Sequence, residues 1–361
     1  FNLDKKEDNL THLFDFIIAY LSKISKLNNC VILSRMKKHH IISSIVVIAA
    51  ISFSVPTSAD TLGERHTFFV NSTYDAQSRT SISATLKHVS VYAYFYIEDS
   101  YLNNLSSYDQ QTLNQKLIVA GQDFDNTIYP KEIAFWGSEP NPGVDNDSRV
   151  TILLELLNPG TGGYFDSANT NPSAQTTNSN QREIIMANVL SLGNDYLKIF
   201  LAHEFQHLTS FNQKELLQDT SEEVWLNELR SQYAITLVGY NDNFQNSDLY
   251  QRASTFIKNP TDSLTEWPNT NIDYASATLF GQYLVDRFGP KILSETLQNR
   301  LIGIASINKW LSDNHKTERF DDVFRDWVWT NYIGSQSQDS KFKYTNQNLQ
   351  TIQVPVTDTR Q

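Results

Sequence analysis

LAHEFQHLTSFNQ, residues 201–213, is the stretch on which the reading of this chain turns. Two histidines four positions apart, His203 and His207, share one face of a helix, so a single ion can receive both imidazoles. Glu204 lies about 100° further round the helix, beside such an ion rather than on it, where a general base for an activated water belongs. The same residues also describe an ordinary amphipathic helix. Leu201, Ala202, Phe205, Leu208 and Thr209 would then form its core face, with the histidines on its solvated side. A third ligand separates the two descriptions.

That ligand stands in the next helical pattern, EEVWLNELRSQYA at 222–234, which carries Glu228. A catalytic zinc site takes three protein ligands and keeps a fourth position open. Two antiparallel helices joined by a loop bring a carboxylate at this distance back across the first helix. The metzincin spacing needs Gly at 210 and His at 213, where this chain has Ser210 and Gln213, and no histidine lies between 208 and 314.

The chain has 361 residues, enough to bury a sizeable core. Its first methionine is Met36, followed by Lys37 and Lys38, an apolar run from Ile41 to Val55, and the small residues Thr57-Ser58-Ala59. This is the layout of a bacterial secretory signal peptide over 36–59, with residues 1–35 upstream of the true start and the mature chain beginning near Asp60. The apolar run falls short of the roughly 20 residues that span a bilayer, so no stable membrane insertion is expected after cleavage. The single cysteine, Cys30, lies upstream, which leaves the mature chain without thiol or disulfide chemistry. The mature portion carries 22 basic and 36 acidic residues, a net charge of −14 that argues against nucleic acid as a partner.

Along the mature chain, HTFFV (66–70) and HVSVYAYFYIED (88–99) read as strands, Asp109 to Asn126 as a helix, and RVTILLELL (149–157) as a buried strand. GTGGYFDSANTNPSAQTTNSNQ (160–181) reads as a long exposed loop, closed by the short strand REIIMANV (182–189). Helical patterns follow at Asp195–Gln213, Ser221–Leu237, Tyr274–Phe288, Pro290–Arg300, Ile304–Asp313 and Phe320–Tyr332, with Thr220 or Ser221 as a helix start before Glu222 and Glu223. The expected class is α+β: a β-rich N-terminal subdomain over 60–195, a helical one over 196–361, and the metal site at their junction.

His203-Glu204-x-x-His207 with Asn227-Glu228 behind Trp225-Leu226 resembles the gluzincin metallopeptidases, the thermolysin-like clan. More narrowly, DNDSRVTILL, GGYFDSAN, NQREIIMAN, HEFQHL, WLNE and YASATLFGQYLVDRFG together are similar to the hyicolysin-type neutral zinc metallopeptidases of bacteria, over residues 88–335. The resemblance implies a thermolysin-like architecture and one catalytic Zn2+ on His203, His207 and Glu228. It also implies Glu204 as general base and acid, and peptide or protein substrates cut by an exported, secreted or periplasmic endopeptidase. Many such families place Gly after WLNE. Here Leu229 stands there and crowds the backbone behind the ligand.

A hydrogen-bond donor to the oxyanion is also implied, for which Tyr274 is the candidate, with a helix-capping or core tyrosine as the alternative and Tyr283 in reserve. His315 lies in a polar stretch and is poorly placed for that task. Gln232, one turn after Glu228, is positioned to support a ligand histidine from behind. REIIMAN is expected to be the edge strand that pairs with an extended peptide through Met186, Ala187 and Asn188, or else an ordinary buried strand. DNDSRV begins like a Ca2+ loop, but Arg149 and Val150 occupy positions that need an oxygen ligand and Gly, so a tight turn is the preferred reading. Two other functions stay open: a non-catalytic surface-binding module on the same fold, and an aminopeptidase. The latter would need an acidic anchor that no GxMEN-like segment before HEFQH supplies.

Overall fold

The computed structural model describes residues 59–355. The expected upstream segment and, but for Ala59, the expected signal peptide lie outside them. Among the described residues no helix is long and apolar enough to cross a membrane.

Six strands form one mixed sheet in the order β1-β2-β3-β4-β6-β5. They are β1 (Arg65–Phe69), β2 (Ser81–Val89), β3 (Ala93–Glu98), β4 (Val150–Glu155), β5 (Gly163–Phe165) and β6 (Ile184–Asn188). The β3–β4 and β4–β6 pairs are parallel and the others antiparallel. Every residue of β3, β4 and β6 is buried, as expected of parallel strands covered on both faces. Side chains alternate between two cores. Phe95, Ile97, Ile152, Leu154, Ile185 and Ala187 face one way, against two helices. These are α1 (Ser107–Asp123), through Leu113 and Leu117, and α3 (Asp195–Ser210), through Leu201 and Phe205. Tyr94, Tyr96, Leu153, Ile184 and Met186 face the other way, with Phe68, Leu86 and Tyr164.

Besides a single turn at Asp99–Leu102, the other α-helices are α2 (Tyr129–Trp136), α4 (Val224–Val238), α5 (Asp248–Lys258), α6 (Asn271–Phe288), α7 (Lys291–Leu297), α8 (Gly303–Asp313) and α9 (Phe320–Ile333). Helices α2 and α4 to α9 bury a third core of large side chains, among them Trp225, Leu229, Phe280, Tyr283, Trp310 and Trp327. A mixed sheet followed by helices is the α+β arrangement expected.

Several expectations need correction. HVSVYAYFYIED is the end of β2, a turn and all of β3, because Asp125 accepts from the backbone N–H groups of Val91 and Tyr92 and so folds the chain back there. The stretch 160–181 is not simply an exposed loop. It contributes β5 and a 3-10 turn at Ser167–Thr170, with Asn169, Thr170 and Ser179 buried. REIIMAN is not an edge strand: β6 lies between β4 and β5, and the edge belongs to β5. Met186 and Ala187 are fully buried, and the Asn188 backbone N–H and side chain already donate to Gly162 and Thr161 carbonyls. Those three residues therefore have no free backbone edge to offer a peptide.

Helix α4 begins at Val224 rather than at 221. Glu222 is instead drawn into a buried ion pair, accepting from Arg230 Nη1 at 2.8 Å with Lys214 Nζ at 3.4 Å. Helices α2 and α5 were not anticipated; each is short, and α5 keeps only Leu249, Ala253 and Phe256 in the core. Tyr283 is a core residue whose hydroxyl donates to the Lys341 carbonyl, and His315 is exposed. In DNDSRV, Asp147 accepts from the Arg149 backbone N–H and the Tyr94 hydroxyl, which makes the turn expected before β4.

Leu229 is accommodated from the opposite helix. A Cβ on Gly281 of α6 would sit 2.9 Å from Leu229 Cδ2 and 3.0 Å from its Cγ. The side chain that crowds the ligand helix thus occupies the space that a glycine leaves open across the interface.

Candidate metal centre

Helix α3 starts at Asn194, whose side chain accepts from the Tyr196 backbone N–H. Its apolar stripe, Leu197, Leu201, Phe205 and Leu208, is buried against the sheet. That docking turns the opposite stripe inward as well, so His203 and Glu204 are only 9% and 6% exposed. The histidines are therefore not a solvated face. Their Nε2 atoms lie 3.2 Å apart, and Glu228 Oε2, from α4, lies 3.2 Å from His203 Nε2 and 3.5 Å from His207 Nε2.

Two nitrogens bound to one tetrahedral zinc stand about 3.3 Å apart, given bonds of about 2.05 Å. Among the described residues, one further group could hold an ion: Asp60, Glu64 and His66. There, however, Arg182 already occupies Asp60 at 2.7 Å.

The far sides of the ligands are also prepared. His207 Nδ1 lies 3.1 Å from Ser231 Oγ, and that hydroxyl donates in turn to Gln206 Oε1. With Nδ1–H donating to Ser231, Nε2 keeps its lone pair for a cation. His203 Nδ1 lies 3.4 Å from the Gln232 amide, and Thr278 Oγ1 lies 3.2 Å from that amide's other end while donating to the Tyr274 carbonyl at 2.6 Å. A half turn of the amide lets Gln232 accept from His203 Nδ1–H and donate to Thr278, which leaves His203 Nε2 free in the same way. Glu228 Oε2 is buried, faces the two imidazole Nε2 atoms and accepts no other hydrogen bond, so the cluster has an acceptor to spare. Donor set, spacing and second partners all fit a zinc ion.

Electrostatics agree. Burial alone would lower the His207 pKa, but the Glu228 carboxylate outweighs it and pushes it up to about 9. Burial would raise the pKa of Glu228, yet His207 and His203 hold it well below the usual carboxylate range. The three groups together draw in positive charge.

Glu204 stands apart from the ligands and against β5. Burial raises its pKa, opposed by His203 and His207, and the Phe165 backbone N–H donates to it. Gly163 is small because a Cβ there would meet the Met186 carbonyl at 2.7 Å and Glu204 Cγ at 3.0 Å. A Cβ on Gly162 would strike the Phe200 ring. The GG doublet thus lets an edge strand run directly beside Glu204.

The residues border a cleft of about 760 Å³. Tyr274 lines it, its ring 6.2 Å from that of His203 and its hydroxyl donating to Asn269 Oδ1 at 3.1 Å. Burial, then Glu228 and Glu204, push its hydroxyl well above the ordinary tyrosine value, so it stays a neutral donor. Met186, Ala187 and Asn188 do not line the cleft, whereas Thr161, Gly162, Gly163 and Phe165 do. Ser231, Tyr74, Trp267 and Arg252 were missed from the sequence. Only Ser231 carried a local signal, three residues after Glu228 on one helical face.

No protein-family model matches the chain. It is 31% identical over 256 residues to the neutral metalloprotease ShpI of Staphylococcus hyicus, an alignment covering 64% of this chain and 53% of that protein. The chain thus spans about half the length of the curated relative it matches. With HEFQH and WLNE meeting in one buried cluster, the chain is related to the hyicolysin-type neutral metallopeptidases that its motifs resemble.

Proposed function

We propose that this protein is an exported zinc-dependent endopeptidase. The observation that carries the reading is the convergence of His203 Nε2, His207 Nε2 and Glu228 Oε2 within hydrogen-bond range of one another, with Glu204 buried at their side. His203, His207 and Glu228 would hold the ion. Zinc bound there supplies Lewis acidity, polarising the scissile carbonyl and easing deprotonation of water.

Glu204 does the proton work. It takes a proton from the attacking water as the new C–O bond forms, and gives it to the leaving amine as the C–N bond breaks. Its raised pKa suits both halves of that task. The Tyr274 hydroxyl, exchanging its bond to Asn269 for the substrate, would be the donor that steadies the oxyanion. β5, the edge strand of the sheet, is the one on which an extended peptide would pair, in place of β6. The cleft's other carboxylate, Asp248, is paired with Arg252, so among the lining residues no free acid remains to anchor a substrate's N-terminal ammonium. This favours an endopeptidase over an aminopeptidase. Export rests on the leader at 36–59, and the net acidic charge disfavours nucleic acid.

The test is metal analysis with casein digestion on the mature protein and on Glu204→Gln. One zinc per chain in both, with hydrolysis by the first alone, is expected. Hydrolysis by Glu204→Gln would refute the mechanism.

A further inference from the structure

The cleft's charges are uneven. Glu204 and Glu228 belong to the centre, Asp248 is a third carboxylate, and Arg252 is the single Lys or Arg among the lining residues. Both Asp248 and Arg252 come from α5, four apart. Asp248 engages only Arg252 Nε, at 3.3 Å to each oxygen. Among the described residues Nη1 and Nη2 make no hydrogen bond, so the two-pronged edge of the guanidinium has donors to offer.

Its position is nonetheless held. Arg252 Cζ lies 5.1 Å from the centroid of the Tyr274 ring, a cation–π contact. Trp267 packs edge-to-face with the same tyrosine, ring centroids 5.1 Å apart, and the Tyr274 ring lies 6.2 Å from that of His203. The guanidinium therefore sits one aromatic ring away from the metal ligands. A strand advances about 3.3 Å per residue, so this is within about three residues of the bond to be cut.

We propose that Arg252 is a specificity residue that binds a carboxylate of the substrate, so that cleavage favours peptides placing an anionic group within three residues of the scissile bond. A planar fork with two N–H prongs matches a carboxylate, and away from the metal centre the cleft offers an anion no other Lys or Arg. The carboxylate can come from an Asp or Glu side chain or from the peptide's own C-terminus. The inference rests on the peptidase reading given above.

Zinc-loaded wild type is assayed on quenched fluorescent peptides in pairs. One set exchanges Glu for Gln at each position within three residues of the cut, and the other exchanges a free C-terminus for an amide. A preference of about tenfold or more in kcat/KM for the charged member, carried by KM and shrinking between 0.05 and 1 M salt, is expected. Arg252→Gln should bring the charged-to-neutral ratio to near one, and Arg252→Lys should keep part of it. A preference in the first set alone assigns the side chain as the carboxylate, and one in the second alone assigns the terminus. Ratios near one in both sets for wild type overturn the proposal, leaving Arg252 to bind a neutral carbonyl. If wild type cleaves none of the peptides, the peptidase reading itself fails.

Discussion

The Leu229–Gly281 contact makes a prediction whose sign, not only its size, is at stake. Gly281 lies within α6, where Ala would by itself favour the helix by about 1 kcal/mol. Its new methyl, however, would stand 2.9 Å from Leu229 Cδ2, and Leu229 is fully buried, so it must shift against packed neighbours. Overpacking of this kind costs about 1–3 kcal/mol. Gly281→Ala should therefore destabilise the wild type by up to about 2 kcal/mol. Leu229→Ala alone should cost about 2–5 kcal/mol through the cavity it opens. In that background the methyl at 281 has space, so the second substitution should stabilise, by roughly the 1 kcal/mol of helix propensity plus partial filling of the cavity. The coupling between the two sites should then be about 1–3 kcal/mol, within the range found for residues in contact. Urea unfolding of the four proteins at fixed zinc concentration measures it. If Gly281→Ala stabilises wild type and Leu229→Ala alike, the two residues are uncoupled and the packing account of Leu229 is wrong.

Further outcomes follow from the same structure. Ser231→Ala removes the partner of His207 Nδ1, and zinc affinity should fall about 10–100-fold in competition with a chromophoric chelator; unchanged affinity would show that the hydroxyl does not orient the ligand. Gly163→Ala pushes a methyl into the Met186 carbonyl and Glu204, and kcat/KM should drop about 100-fold with zinc content intact, since a displacement of about 1 Å at the reacting groups suffices for that. Glu155, fully buried beside the Tyr164 hydroxyl, has its pKa raised from 4.5 to about 8, chiefly by burial. The native state thus holds this proton more tightly than the unfolded chain. Its contribution is complete below about pH 4 and is lost as pH rises through about 8. Glu155→Gln should consequently gain stability over wild type as pH goes from 5 to 9 in urea unfolding, and a difference that stays flat across that range would contradict the shift.

The legible part of this protein is the part written locally. HEFQH, with its apolar residues at helical spacing, dictates one helix whose histidines share a face, because 3.6 residues per turn leaves no other choice. The apolar runs of β3, β4 and β6 likewise announce strands, and RVTILLELL a buried one. Glu228 was readable because one loop returns α4 across α3. Strand order was not readable, since a three-residue strand inside a Gly-, Ser- and Asn-rich stretch has too little pattern of its own. β5 exists because Met186 and its neighbours pair with it, and that pairing moved the edge from β6 to β5. The partners of Leu229 and of the guanidinium of Arg252 were equally hidden, for Gly281 and Tyr274 lie far along the chain. The sequence by itself determined the chemistry on offer: two imidazoles, a base and a carboxylate on helices. Only the tertiary structure decided what surrounds that chemistry, because burial, edge and charge partner are set by packing between segments that do not encode one another.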